Sequence, residues 1–408
     1  MRISTQTLFT QSMRAMNQQQ AGLLHVGQQI ASGRRVLTPS DDPNAASLAV
    51  QVGQAQAITG QYTASRVSAR NSLAMETSVL GSVTNAVTSA KTLIIQAASG
   101  TLTDVDRASI ASQLEGIYDT LVGQANATDG NGRYLFGGYQ DGTTPFVTDP
   151  ATGGVTYVGD TEVRQERIDA SRLMPVADNG QNVFQGAQGT TGFMAVADPA
   201  NAGSVTLNGT PSVANQADPD FGHGFTIAFA VDPATGDATY TITDQATGAA
   251  GPAQAYTAGQ PIQYAGLALS PTGTPADGDS IDVDQARNLN TDVFKTIEKA
   301  LAVLKTPADT DAKRAALQNT LGNVMTELDN SLNNVSMVQA SVGSRLNELD
   351  VVDSVAANRQ INYAQTKSDL VDLDYTTAIS DYTLRQVGLQ AAQKTFMSMT
   401  QMNLFNLM

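Results

Sequence analysis

Residues 375–399 read Tyr375-Thr-Thr-Ala-Ile-Ser-Asp-Tyr-Thr-Leu-Arg-Gln-Val-Gly-Leu-Gln-Ala-Ala-Gln-Lys-Thr-Phe-Met-Ser-Met399. Tyr375, Ala378, Tyr382, Leu389, Ala392, Phe396 and Met399 recur on alternating three- and four-residue steps, with Arg385 the one intruder. A stripe with a period of about 3.5 residues keeps one helix face turned toward a partner helix. The same steps open the chain, where Phe9, Met13, Met16, Leu23 and Ile30 form a second stripe broken at Gln20 and Gly27. The faces opposite these stripes carry almost no charge. Arg2 and Arg14 are the only Lys, Arg, Asp or Glu in residues 1–32, and Arg385 and Lys394 the only ones in 383–408. A solvated helix shows a charged face, whereas Gln, Asn, Ser, Thr and Ala suit close contact with neighbouring subunits. Pattern alone also fits a helical hairpin that closes a monomer.

Charge divides the chain of 408 residues. Lys and Arg number seven against three Asp and Glu in residues 1–99, six against twenty-two in 100–290, and ten against thirteen in 291–408. The acid of the middle third marks the solvated section, and two or three structural units are expected at this length. A basic stripe with interleaved aromatics, which nucleic acid binding requires, is missing, so nucleic acid is excluded as a partner. The sequence has no Cys, which removes disulfides, thiolate zinc sites and thiol nucleophiles. Polar residues Gln6, Thr7, Thr10, Gln11 and Ser12 interrupt any signal-peptide apolar region. Apolar runs stay short of the ~20 residues of a membrane span, so membrane insertion is not expected.

Between the ends the period changes twice. Thr38-Pro39-Ser40-Asp41-Asp42-Pro43 reads as a hinge, with Asp42 as N-cap and Pro43 at the first helical position. A helix from Pro43 toward Ser99 follows, with Gly60 and Gly81 as weak points and a seam through Leu73, Leu80, Val83, Val87, Ala90, Ile94 and Ala97. A shorter helix spans about 104–127. From Thr128 to Ile281, Asn-Gly, Gly-Gly and Asp-Gly pairs punctuate short apolar runs, the mark of hairpins. Asp149-Pro-Ala-Thr-Gly153 recurs as Asp232-Pro-Ala-Thr-Gly236, with a looser copy at Asp198. This is repeated turn chemistry, in which Asp and Pro set the turn and Gly supplies positive φ. Helix returns after Leu289, stops at Pro307, and resumes near 309–311 with a seam from Leu321 through Leu349 to Ala356. A second hinge, 369–374, precedes the last helix. The expected fold is α+β: a bundle of long helices from both chain ends (43–185 and 286–369), terminal coiled-coil helices (1–42 and 370–408), and a β-rich insertion at 186–285.

Catalytic motifs are lacking. His25 and His223 are isolated in sequence, the phosphate-loop, dinucleotide and Gly-x-Ser-x-Gly patterns do not occur, and enzymatic activity is not expected. The run Asp277, Asp279, Asp282, Asp284 lacks EF-hand spacing and reads as a solvated turn and strand face. Asp369, Asp372 and Asp374 read as helix-start acids. Neither a cofactor nor a metal is expected.

The ends also carry a resemblance. Met1-Arg-Ile-Ser-Thr5, Ile30-Ala-Ser-Gly-Arg-Arg-Val36, Thr38-Pro-Ser-Asp-Asp-Pro-Asn-Ala-Ala46, Tyr134-Leu-Phe-Gly-Gly138, Val155-Thr-Tyr-Val-Gly-Asp160 and Asn403-Leu-Phe-Asn-Leu407 resemble the bacterial flagellin superfamily. The opening, Pro43 and the Leu-Phe-Asn ending narrow this to its hook-associated junction subunits. The resemblance covers about 1–184 and 286–408 and leaves 186–285 unmatched. It implies a structural, extracellular subunit of the flagellum at the hook–filament junction. Export would be unfolded, through the type III export apparatus and without a cleaved signal peptide, with a flagellar export chaperone on the C-terminal helix. Further implied partners are copies of itself in a ring, hook-associated protein 1 and flagellin. The terminal helices would be disordered in the free subunit and pair in the assembled tube. A filament flagellin, and a secreted adhesin acting through the insertion, are the rival readings.

Overall fold

The computed structural model describes residues 5–186, 192–207 and 209–405. Three helices open the chain, α1 (Thr5–Ser32), α2 (Pro43–Ala97) and α3 (Asp104–Ala125), and three close it, α4 (Val293–Lys305), α5 (Asp311–Val371) and α6 (Tyr375–Phe405). Two compact units result, residues 1–64 with 350–408, and residues 65–349. Both α2 and α5 contribute to each unit. Gly60 and Gly81 do not interrupt α2, and α5 runs through Asp369, so that residue is not a helix-start acid. A glycine costs about 1 kcal/mol in a helix, too little to break one whose neighbours are buried.

In the second unit the seam residues of α2 form the core. Leu73, Leu80, Val87, Ala90 and Ile94 are fully buried, as are Leu114 and Leu121 of α3, Ile297 and Ala300 of α4, and Leu321 and Leu328 of α5. Each such Leu or Ile contributes about 1.5–3 kcal/mol by leaving water. Thr103 caps α3 in a reciprocal box with Asp106, and Asp292 caps α4 by accepting the Phe294 and Lys295 amides.

Two hairpins pack on this bundle, β1 (Phe146–Thr148) with β2 (Val155–Tyr157), and β3 (Gln165–Asp169) with β4 (Arg172–Pro175). One turn of π-helix, Gln181–Gln185, interrupts the expected run of strands. Its Phe184 stands edge-on to Phe136 and Phe146 and stacks with Phe294 of α4, at centroid distances of 5.2, 5.3 and 5.8 Å. Gly180 starts this turn because a Cβ there would lie 2.5 Å from the Phe146 ring.

The inserted segment is a β-sandwich. Strands β5 (Phe193–Ala197), β12 (Ser280–Gln285), β7 (Phe225–Val231), β8 (Ala238–Asp244) and β9 (Gln254–Ala255) form one antiparallel sheet in that order. The other holds β10 (Ile262–Tyr264), β11 (Leu267–Leu269) and β6 (Ser212–Val213). Alternating residues Phe225, Ile227, Phe229, Ile281 and Val283 meet Ile262, Leu267 and Leu269 in its core. The repeated turn has one geometry. Asp149 and Asp232 each accept the amide two residues on (2.8 and 2.7 Å), and the amides of Gly153 and Gly236 close on the Asp carbonyls at 2.8 Å, with φ near +75° (74° and 76°). Asp244-Gln-Ala-Thr-Gly248 forms a third copy, with Gly248 at φ 70°.

Asp244 is 2 % exposed and also meets His223 Nδ1 at 2.9 Å and the Tyr264 hydroxyl at 3.2 Å. The hydrogen bond to Asp244 raises the His223 pKa above 6.5, helped by the charge of Asp220, and the same bond holds the Asp244 carboxyl well below its ordinary 3.8. Stability from His223 is complete below pH 6.5 and is lost as pH rises through its raised value; stability from Asp244 is lost as pH falls below 3.8. Thermal unfolding of the sandwich should therefore peak between these limits, and His223→Phe should remove the decline on the alkaline side. An unchanged alkaline limb in the variant would dismiss the pair as its cause.

Asp279 departs from the expected solvated face. It is 3 % exposed and accepts the amides of Ala202 (2.8 Å), Gly203 (3.1 Å) and Ala276 (2.8 Å). A carboxylate so saturated by main-chain donors pins two loop segments, 202–203 and 276–279, together.

Candidate assembly surface

Gly33 ends α1 at φ 70°, and its amide closes on the Gln29 carbonyl at 2.9 Å. The chain then pairs with the end of α5. Arg34 bridges Asp372, the Arg35 amide donates to the Val371 carbonyl (2.8 Å) and the Leu373 amide to the Gly33 carbonyl (3.0 Å). The Arg35 guanidinium donates to the Leu370 carbonyl (2.7 Å) and to Asp42 (3.2 Å). The two hinges are thus one joint.

Within it, Asp41 folds back to accept the amides of Leu37 (3.0 Å) and Thr38 (2.8 Å), with His25 Nε2 3.9 Å from its other oxygen. Asp42 caps α2 by accepting the Ala45 amide at 3.0 Å, and Pro43 begins the helix. Backbone hydrogen bonds, from Thr38 at Asp41 and from Ala45 at Asp42, hold both carboxyls below their usual range. Pro39 is exposed in the turn between α1 and α2. At the second hinge Asp374 caps α6, accepting the amides of Thr376 (2.9 Å) and Thr377 (3.4 Å).

From the joint α1 and α6 run antiparallel. The Tyr375 hydroxyl lies over Gly33, the Tyr382 ring against Gly27, Arg385 over Gly22 and Gln19 against Gly388. At the far end Phe9 and Phe396 meet at a centroid distance of 5.1 Å. Two of the three irregularities of the stripes are accounted for here, Gln20 being exposed. Gly27 makes room for a tyrosine, and Gly22 makes room for Arg385, which also pairs with Asp381 at 3.4 Å. Ala378 and Val26 are buried, the latter outside the stripe read from spacing. Met16, Leu23, Ile30, Tyr382, Leu389, Ala392 and Phe396 are half-buried; Phe9 and Met13 stay exposed. The Met399 side chain lies outside the described residues.

The pair does not consume its apolar surface. On α6, Leu384 (71 % exposed) and Val387 (58 %) lie on the side opposite the seam, with Ile379 and Met397 on its flank. Leu24 on α1, Val50 and Ile58 on α2, and Val351, Val355 and Ile361 on α5 are exposed in the same unit. Sequence spacing did not single out the outer stripe, because Leu384 and Val387 fall between the steps of the stronger one. Among the described residues, no helix is long and apolar enough to cross a membrane, and no group of three or more His, Cys, Asp or Glu could hold a metal ion.

Comparison with known proteins places this geometry. Residues 3–141 match the bacterial flagellin N-terminal helical region. Over 408 residues the chain is 34 % identical to flagellar hook-associated protein 3 of Escherichia coli K12, covering all of this chain and 99 % of that one. It is 33 % identical, with the same coverage, to its counterpart in Salmonella typhimurium LT2. The crystal structure of FlgL from Xanthomonas campestris superposes with a TM-score of 0.69 at 27 % identity, covering 78 % of this chain and 99 % of that one. Flagellar hook associated protein-3 from Legionella pneumophila gives 0.68 at 25 % identity, covering 78 % and 98 %. With its two helical ends paired and a β-rich segment inserted between them in sequence, the chain belongs to the flagellar hook-associated protein 3 family.

Proposed function

We propose that this chain is the structural subunit of the hook–filament junction in a bacterial flagellum and assembles through its paired terminal helices. The observation that carries the reading is the α1–α6 pair, which satisfies one apolar seam and leaves a second apolar stripe, at Leu384 and Val387, on an almost uncharged surface. In the assembled ring, residues 1–42 and 370–408 form the inner core, 43–185 with 286–369 the next layer, and 186–285 the solvent-facing domain. The seam at Phe9, Met13, Met16, Leu23, Ile30, Tyr382, Leu389, Ala392 and Phe396 holds the pair. Pro39, Asp41, Asp42 and Pro43 set the angle at which it leaves α2. Neighbours are further copies of the chain, hook-associated protein 1 below and flagellin above. Before assembly the chain is exported unfolded through the type III apparatus, with a chaperone on the C-terminal helix. A seam broken at Gln20, with Phe9 and Met13 still exposed, suits this, being marginal alone and ordered by neighbours.

Deleting the gene tests the assignment. Hooks without filaments and monomeric flagellin in the medium are expected, both reversed by the intact gene. Full filaments on the deletion strain would contradict it and favour the adhesin reading, and loss of filament with nothing shed would favour a flagellin.

A further inference from the structure

The sandwich is fastened to the bundle by a helix side chain that takes the place of a strand. Segment 204–206 pairs with 272–274 through its even residues: the Ser204 amide donates to Thr274 (2.8 Å), and Thr206 and Thr272 exchange amide bonds at 2.7 and 3.0 Å. That arrangement turns the Val205 carbonyl and the Leu207 amide the other way, toward α5. Asn319 of α5, 6 % exposed, takes both. Its Nδ2 donates to the Val205 carbonyl (2.9 Å) and its Oδ1 accepts the Leu207 amide (2.8 Å). A residue of a parallel strand facing Thr206 would make the same two bonds. Asn is the side chain suited to it, since a carboxamide carries the donor and acceptor of a peptide group.

Beside Asn319 the fit ends. A cavity of about 480 Å³ separates the two bodies, lined by Val196 and Val205 of the sandwich and by Ala302, Val303, Ala315 and Ala316 of the helices. This cleft is open to solvent, so the sandwich is not packed against the helices across it.

We propose that Asn319 is a latch: it holds the inserted sandwich in one orientation against α5, and its release lets the sandwich turn into the adjoining cleft. Two neutral hydrogen bonds make a lock that thermal motion can open, while the sandwich core and the α5 core stay intact on either side.

Absence of Cys allows a clean test on the full chain. Spin labels at Ala230→Cys on β7 and Ala340→Cys on α5, both exposed positions, report the distance between the bodies by pulsed electron resonance. With Asn319 present one narrow distribution is expected. Asn319→Ala should broaden it about two-fold and speed hydrogen exchange of the Leu207 amide about ten-fold, with exchange in β7 and β12 unchanged. Asn319→Asp keeps the acceptor but loses the donor to Val205, and should fall between. Distributions equally narrow in both variants would overturn the proposal. So would slow Leu207 exchange in Asn319→Ala, or melting of β7 and β12 in that variant with no broadening in Asn319→Asp.

Discussion

Leu384→Asp should leave the subunit folded and abolish its assembly. The side chain is 71 % exposed, so an aspartate there meets water in the free chain and costs little. In a packed ring it would be an unpaired charge in an apolar contact, a penalty of several kcal/mol per copy. About 4 kcal/mol is a thousand-fold in association, and a ring repeats the penalty at every contact. Complementing a deletion strain with the variant should restore export but not motility, with the protein recovered from the medium at normal helicity. Leu389→Asp should also block assembly, but by a different route, because Leu389 belongs to the seam and its loss loosens α6 from α1. Normal incorporation of the Leu384 variant would show that the outer stripe is not an interface.

Replacing Glu76 with Gln should make the subunit more stable at neutral and alkaline pH. Glu76 is fully buried on α2. Its Oε1 accepts the Asp178 amide at 3.1 Å, and its Oε2 has no hydrogen-bond partner among the described residues. Asp178 is held in turn by Arg345 of α5 at 2.9 and 3.0 Å. Burial, then the Asp178 charge, push the Glu76 carboxyl up to about 8 from an ordinary 4.5; the Asp178 amide and Arg345 oppose them. The raised value means that the folded state holds the proton more tightly than the unfolded chain. Stability is therefore greatest below pH 4.5 as far as this group is concerned, and declines as pH rises toward 8. Urea unfolding should show the parent losing about 3–4 kcal/mol from this group between pH 5 and 8, and Glu76→Gln losing almost none of it. Parallel pH curves for the two proteins would rule out Glu76 as the source.

The helical frame was legible because its signals are local. Asp42-Pro43 marks the start of α2 by cap chemistry, and spacing alone marks the seam of α2. The π-helical turn was not legible, since Gln181–Gln185 differs from a short strand only through the aromatic cluster that Phe184 joins. Nor was the third Asp-x-Ala-Thr-Gly turn, where Gln245 stands in place of Pro and hides the repeat. Glu76, Asp279 and Asn319 look in sequence like ordinary polar residues. Partners about a hundred positions away bury Glu76 and Asn319, and about seventy-five away in the case of Asp279, and no periodicity encodes that. Of the α1–α6 pair, spacing marked facing residues such as Phe9 and Phe396 but not Val26. Arg385 was read as a flaw because its complement, Gly22, is an empty space on the other chain end.

Locating the protein on isolated flagella tests the account most directly. Gold-labelled antibody raised against residues 193–285 should mark one narrow zone where hook meets filament, and nowhere else. Label along the whole filament would identify a flagellin instead, and label on the cell surface with none on flagella would contradict the junction assignment outright.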